Sequence, residues 1–182
     1  LVVNEFAHLQ AARAMRIPVA QSTVVTDRHG RNGLLVSRFD RLRRGRRVER
    51  RALEDAAQVV GILPAAKYAV TSEEVALALT GAVPASLVAA RNLYLQFVYA
   101  WLTGNGDLHA KNLSILEQEG GGFAMAPMYD LPSTWVYRDR DMALSVEGRT
   151  TNLRERHWAA FADTLGINQK AAASLRRLAL AA

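Results

Sequence analysis

Between residues 4 and 15, apolar side chains return at Phe6, Leu9, Ala12 and Met15. That is a helical repeat, with Asn4 as candidate N-cap and Pro18 as a stop. Residues 21–26 and 34–39 are rich in branched side chains and predict two strands. The intervening 27–33 supplies the Gly and Asn that a hairpin loop needs. Residues 52–63 predict a helix stopped by Pro64. Thr71 caps a second, with Glu73 and Glu74 in its acidic first turn, and Pro84 opens a third that runs to about Leu102. The third is apolar almost all round, from Leu87 and Val88 through Tyr94, Phe97 and Tyr99 to Trp101, and so belongs at the centre of a core. A polar loop, 103–112, leaves its end directly. Short strands at 113–116 and 123–126 flank a glycine turn, and a further loop, 127–132, follows them. Residues 153–165 and 168–180 predict two last helices parted by Gly166. The pattern is that of an α+β fold, mainly helical with small β-hairpins.

Composition narrows the class. With 182 residues, half of them hydrophobic, the chain is neither disordered nor too short for a core of its own. None of its apolar runs approaches the ~18 residues of a membrane span. The absence of cysteine excludes a disulfide framework and thiolate metal sites, and fits a reducing, cytoplasmic setting. The formal net charge of +6 raises nucleic acid, anionic membranes and polyphosphate ligands together. Its distribution separates them in part. From Arg38 to Arg51 there are eight arginines against two acids, Asp40 and Glu49, a local excess of six. One stretch thus carries the whole imbalance, and it reads as a solvated basic loop. It lacks the interleaved aromatics that stack on bases.

The chemistry concentrates in three residues. Asp107 and Asn112 lie five positions apart in the loop after the buried helix, and Asp130 follows the next hairpin. Phosphoryl transfer needs such a set: a carboxylate to orient the attacking hydroxyl and take its proton, and an amide oxygen with a second carboxylate to hold Mg2+ against the phosphates. The D-x-x-x-x-N spacing is that of a kinase catalytic loop. Each residue alone would pass for a turn residue. Within the same loop, His109 fits a buried hydrogen-bonding post or an ATP contact, and Lys111 fits phosphate neutralisation or simple exposure.

These residues, with Asn4-Glu5, Arg38-Phe39-Asp40-Arg41, Glu54-Asp55, Lys67-Tyr68, the 105–112 loop and Pro127-Met128-Tyr129-Asp130-Leu131, resemble the C-terminal region of HipA-type serine/threonine kinases, the toxins of bacterial toxin–antitoxin pairs. The resemblance runs from Asn4 to Trp158 and implies a kinase-like C-terminal lobe at 41–182, preceded at 1–40 by a helix–hairpin remnant of the other lobe and the hinge. It implies that Ser37, Arg38 and Phe39 meet adenine at the hinge, and that Asp107 is the catalytic base with Lys111 beside it. Asn112 and Asp130 would be the metal ligands, and His109, Lys111, Asn112, Tyr129 and Asp130 part of an ATP pocket. The cofactors so implied are ATP and Mg2+. The implied partners are a protein substrate, with aminoacyl-tRNA synthetases among known targets, and a helix-turn-helix antitoxin through which DNA is reached indirectly.

Two departures stand out. Where the family often shows His-Gln-Glu-Asp, this chain has Ala52-Leu53-Glu54-Asp55. No glycine-rich phosphate loop or phosphate-pairing lysine precedes Asn4, so the chain is expected to be a fragment that transfers phosphate poorly by itself. The 105–112 loop is also similar to that of aminoglycoside and choline phosphotransferases, which keeps a small-molecule kinase as the alternative. A non-catalytic binding module is a further one.

Overall fold

The computed structural model describes all 182 residues. Helix makes up 43% and strand 18%, the latter in small antiparallel sheets, so the fold is α+β as the pattern predicts. α1 (Val2–Ala12) is followed by β1 (Ser22–Thr26) and β2 (Asn32–Val36), then by β3 (Arg41–Arg44) and β4 (Arg47–Arg50). β5 (Leu53–Asp55) leads into α2 (Ala56–Val60), α3 (Ser72–Gly81) and α4 (Ser86–Thr103). β6 (Ser114–Glu117), β7 (Phe123–Met125), α5 (Glu155–Thr164) and α6 (Gln169–Leu180) complete the chain.

α4 is the axis of the molecule. Its middle, from Ala89 to Ala100, is almost wholly buried, and it packs against α3, α5 and α6. Tyr94, Phe97 and Phe161 are fully buried, with Tyr94 stacked on Phe161 at 5.9 Å and Phe97 edge-on to it at 5.5 Å. Burial of a phenylalanine of this kind contributes about 1.5–3 kcal/mol. The first turn departs from the all-round apolar reading, since Leu87 and Val88 face solvent. Gly104 ends the helix at φ +65°, its N–H donating to Ala100 and Trp101 carbonyls. A Cβ there would meet Trp135 Cβ at 3.0 Å, so glycine both permits the left-handed turn and makes room for it.

Four local expectations are corrected. Asn4 does not cap α1, which begins at Val2 behind Leu1; its side chain is committed elsewhere. The β1–β2 hairpin ends at Val36, leaving Ser37 to Phe39 outside the strand. The basic stretch is not a loop but the β3–β4 hairpin, closed by Gly45 at φ +61° with Arg41 opposite Arg50 and Arg44 opposite Arg47. Residues 52–63 are not one helix. Leu53 to Asp55 pair antiparallel with β6 (Asp55 opposite Ser114), making a three-stranded sheet β5–β6–β7, and the helix that follows is only Ala56–Val60. Residues 1–20 share the core of the later helices, as Leu9, Ala12 and Met15 are completely buried within it. No helix is long and apolar enough to cross a membrane.

Candidate active site

The loop that leaves α4 is shaped by its own polar residues. Asn105 is buried, and its side-chain oxygen accepts the N–H of Asp107 at 3.0 Å. Gly106 donates its N–H to Thr134 Oγ1 at 2.8 Å, in a space too narrow for a side chain. His109 opens a single turn of 3-10 helix over Ala110–Asn112, with its N–H donated to Asn112 Oδ1 at 3.1 Å. That bond turns the Asn112 amide nitrogen outward, where it donates to Asp130 Oδ2. Asn112 and Asp130, 18 residues apart in sequence, are therefore in direct contact. Asp130 itself adopts φ +56°, a left-handed conformation that Asp tolerates better than most residues.

Asp107 lies at the mouth of the loop with its side chain 43% exposed. Its Oδ1 accepts the Tyr68 hydroxyl at 2.8 Å and lies 3.8 Å from His109 Nε2. His109 is 5% exposed, and burial pushes it below the ordinary histidine range, opposed by the Asp107 carboxylate. The ring therefore stays neutral near pH 7. Lys111 N–H meets its Nδ1 at 3.3 Å, while Lys67 Nζ lies 2.6 Å from Nε2. A neutral ring has one free lone pair, so it accepts from one of these and not from both.

The remaining expected residues converge less evenly. Tyr129 is held by its hydroxyl, which donates to the Lys111 carbonyl at 2.8 Å and so must accept from Ser114 Oγ at 2.6 Å. Burial pushes this phenol up to about 12. The Phe39 ring packs on Tyr129 at 5.7 Å, which brings the 37–39 segment beside the Asp130 loop. Ser37 and Arg38 are exposed there, and Arg38 is engaged with Asp40 at 2.6 Å. Lys111 does not extend free into solvent, since Nζ is bonded to Asp55 Oδ2 at 2.7 Å.

Several residues of this neighbourhood carried no site role in the sequence reading. Asn4 bridges α1 to the chain after Asp130, receiving Ser133 N–H at 2.7 Å and donating to its carbonyl at 3.1 Å. Glu5 is close enough to Asp130 that its carboxyl is raised by burial and then by that charge. Lys67, Tyr68 and Asp55 were visible only as members of short motifs. Nothing local ties position 4 to position 133, so no spacing argument could have found that pair.

Asp130 is raised above the ordinary carboxylate range by protein crowding round its carboxylate and then by the charge of Asp107. Negative charge is thus in excess at this point, and the two carboxylates are hard donors suited to Mg2+, while the Asn112 amide oxygen is turned to the His109 N–H. No three His, Asp or Glu side chains converge, so a cation here would draw further oxygens from its ligand. Concavities of about 500 and 370 Å3 beside α4 and α6 touch none of these groups. The acidic cluster is an open edge rather than an enclosed pocket.

Comparison with known proteins fits this geometry. The serine/threonine-protein kinase toxin HipA of Shewanella oneidensis is 32% identical over 188 residues, covering 92% of this chain and 43% of its own. A chain of the Shewanella oneidensis complex of HipA, HipB and operator DNA superposes with a TM-score of 0.88 at 26% identity, over 98% of this chain and 46% of that one. The Helicobacter pylori proinflammatory kinase CtkA shares the fold alone, with a TM-score of 0.63 at 13% identity over 96% of this chain and 70% of that one. The chain spans about two-fifths of the length of the curated relatives it matches. The sequence model of the HipA-like C-terminal domain matches residues 1–182, and with the relatives above it shows that the chain belongs to that family of kinase domains.

Proposed function

We propose that this chain is the hinge and catalytic lobe of an ATP- and Mg2+-dependent kinase that phosphorylates a Ser or Thr hydroxyl of a protein. The observation that carries the reading is the direct contact of Asn112 with Asp130, beside a solvent-facing Asp107. Residues 1–40 contribute the hinge side and 41–182 the catalytic lobe. The glycine-rich loop and phosphate-pairing lysine are not among these residues and would come from elsewhere in the full-length protein.

In this mechanism Asp107 accepts the proton of the substrate hydroxyl as its oxygen bonds to the γ-phosphorus and the bond to the β-phosphate oxygen breaks, leaving ADP. Asp130 would hold Mg2+, joined by Asn112 once its amide turns to offer the oxygen now on the His109 N–H, and the ion when bound neutralises charge on the phosphates. Neutral His109 braces the loop, and Lys111 anchors it to β5 through Asp55. The backbone of Ser37 to Phe39 would meet the adenine, and Phe39 rests on Tyr129. A HipB-like antitoxin is the partner we assign, with DNA reached through it. The family likeness supports a kinase acting on a protein in the cytoplasm.

A small-molecule phosphotransferase would use the same three groups. The two are separated by offering the full-length protein Mg-ATP with cell lysate or with small aminoalcohols. Labelled Ser or Thr on a lysate protein is the expected outcome. Label on an aminoalcohol alone would overturn the choice of substrate.

A further inference from the structure

We propose that Tyr68 is a positioning residue for Asp107, acting through its hydroxyl; this rests on the kinase reading above. After a short turn at Pro64–Ala66, the chain lies back over the catalytic loop. The Lys67 carbonyl accepts the Ala110 N–H at 3.2 Å, and the Lys67 ammonium sits 2.6 Å from His109 Nε2 and 4.8 Å above the Tyr68 ring. That ring stands edge-on to His109 at 5.1 Å. So held, Tyr68 donates its hydroxyl to Asp107 Oδ1 at 2.8 Å. The carboxylate beside it pushes the phenol above its ordinary range, which keeps the proton on Tyr68 and fixes it as the donor.

No other group lies within hydrogen-bond distance of the Asp107 carboxylate, and the side chain is otherwise free to rotate into solvent. The Tyr68 bond selects one orientation. It occupies Oδ1 and leaves Oδ2 with its lone pairs free for an incoming hydroxyl. Core packing does not explain a tyrosine here, since the residue is 51% exposed. The edge contact with His109 would survive in a phenylalanine. The hydroxyl is the part that reaches the base. Misorientation of a reacting group by about 1 Å is enough to cost a large factor in rate.

The test is Tyr68→Phe in the full-length protein. A fall in kcat on the order of ten- to a hundredfold is expected, with KM for ATP and the melting temperature unchanged. Wild-type kcat in this variant would overturn the proposal. So would a fall in kcat matched by a loss of thermal stability, which marks a structural role. If the wild-type protein transfers no phosphate, the kinase reading fails, and the positioning is then read from crystal structures of both proteins. A carboxylate turned away or spread over rotamers in Tyr68→Phe upholds it. An Asp107 unmoved from its wild-type orientation overturns it.

Discussion

Asp107, Asn112 and Asp130 are each held by a different neighbour: a tyrosine hydroxyl, a backbone N–H and an asparagine amide. Their identities were legible because a fixed spacing within one loop is a local property of sequence. The tyrosine support was not, because Tyr68 acts across 39 residues. His109 links the two kinds of information, being a loop residue whose role depends on burial. Its pKa lies below the unfolded value of 6.5, and His157 is shifted the same way by burial and then by Arg156, Arg149 and Arg154. Well above pH 6.5 both states hold these rings neutral, and the shift has no effect. As pH falls below 6.5 the unfolded chain takes up protons that the folded chain refuses, so stability is lost. Urea melts between pH 7 and pH 5 should show this decline, with a shallower slope in His109→Gln. An unchanged slope would mean that the histidine is not kept neutral by the fold.

Elements whose signals are local were read well. Thr71 caps α3 as expected, and the structure adds a reciprocal capping box with Glu74, whose N–H donates to Thr71 Oγ1 at 3.1 Å. β5 was missed because a three-residue strand exists only by pairing with β6, some 60 residues later, and its apolar spacing reads equally well as helix. The β3–β4 hairpin was hidden by charge. Arginines directly opposite one another should destabilise a ribbon. Here Arg41 is offset by buried Asp40 at 2.6 Å and Arg44 by Glu119 at 2.7 Å, the latter a residue beyond any local window. The loop joining α4 to β6 depends on one residue without a side chain. A Cβ on Gly106 would lie 2.7 Å from both the Asp141 carbonyl and Thr134 Oγ1. Gly106→Ala is therefore expected to cost about 1–3 kcal/mol, as overpacking does, and to lower the urea midpoint. A midpoint equal to wild type would show that the Thr134 contact yields freely.

At the scale of the whole molecule, a single buried cluster runs from Leu9 in α1 to Ala179 in α6, with α4 through its middle. The 103–112 loop leaves that axis at Gly104, and the β6–β7 hairpin returns the chain so that Asp130 meets Asn112. The local excess of six over residues 38–51 lies mostly in the β3–β4 hairpin, away from Asp107, Asn112 and Asp130 in sequence. On the proposed reading, the loop and hairpin so joined form the floor of the nucleotide site. The measurement that bears most directly on this account is phosphate transfer from labelled Mg-ATP by the full-length protein and its Asp107→Asn variant. The amide keeps the shape and still accepts the Tyr68 hydroxyl, but cannot take a proton. Loss of transfer by about 10²–10⁴-fold, with an unchanged melting temperature, is the predicted result. Transfer at the wild-type rate would contradict it.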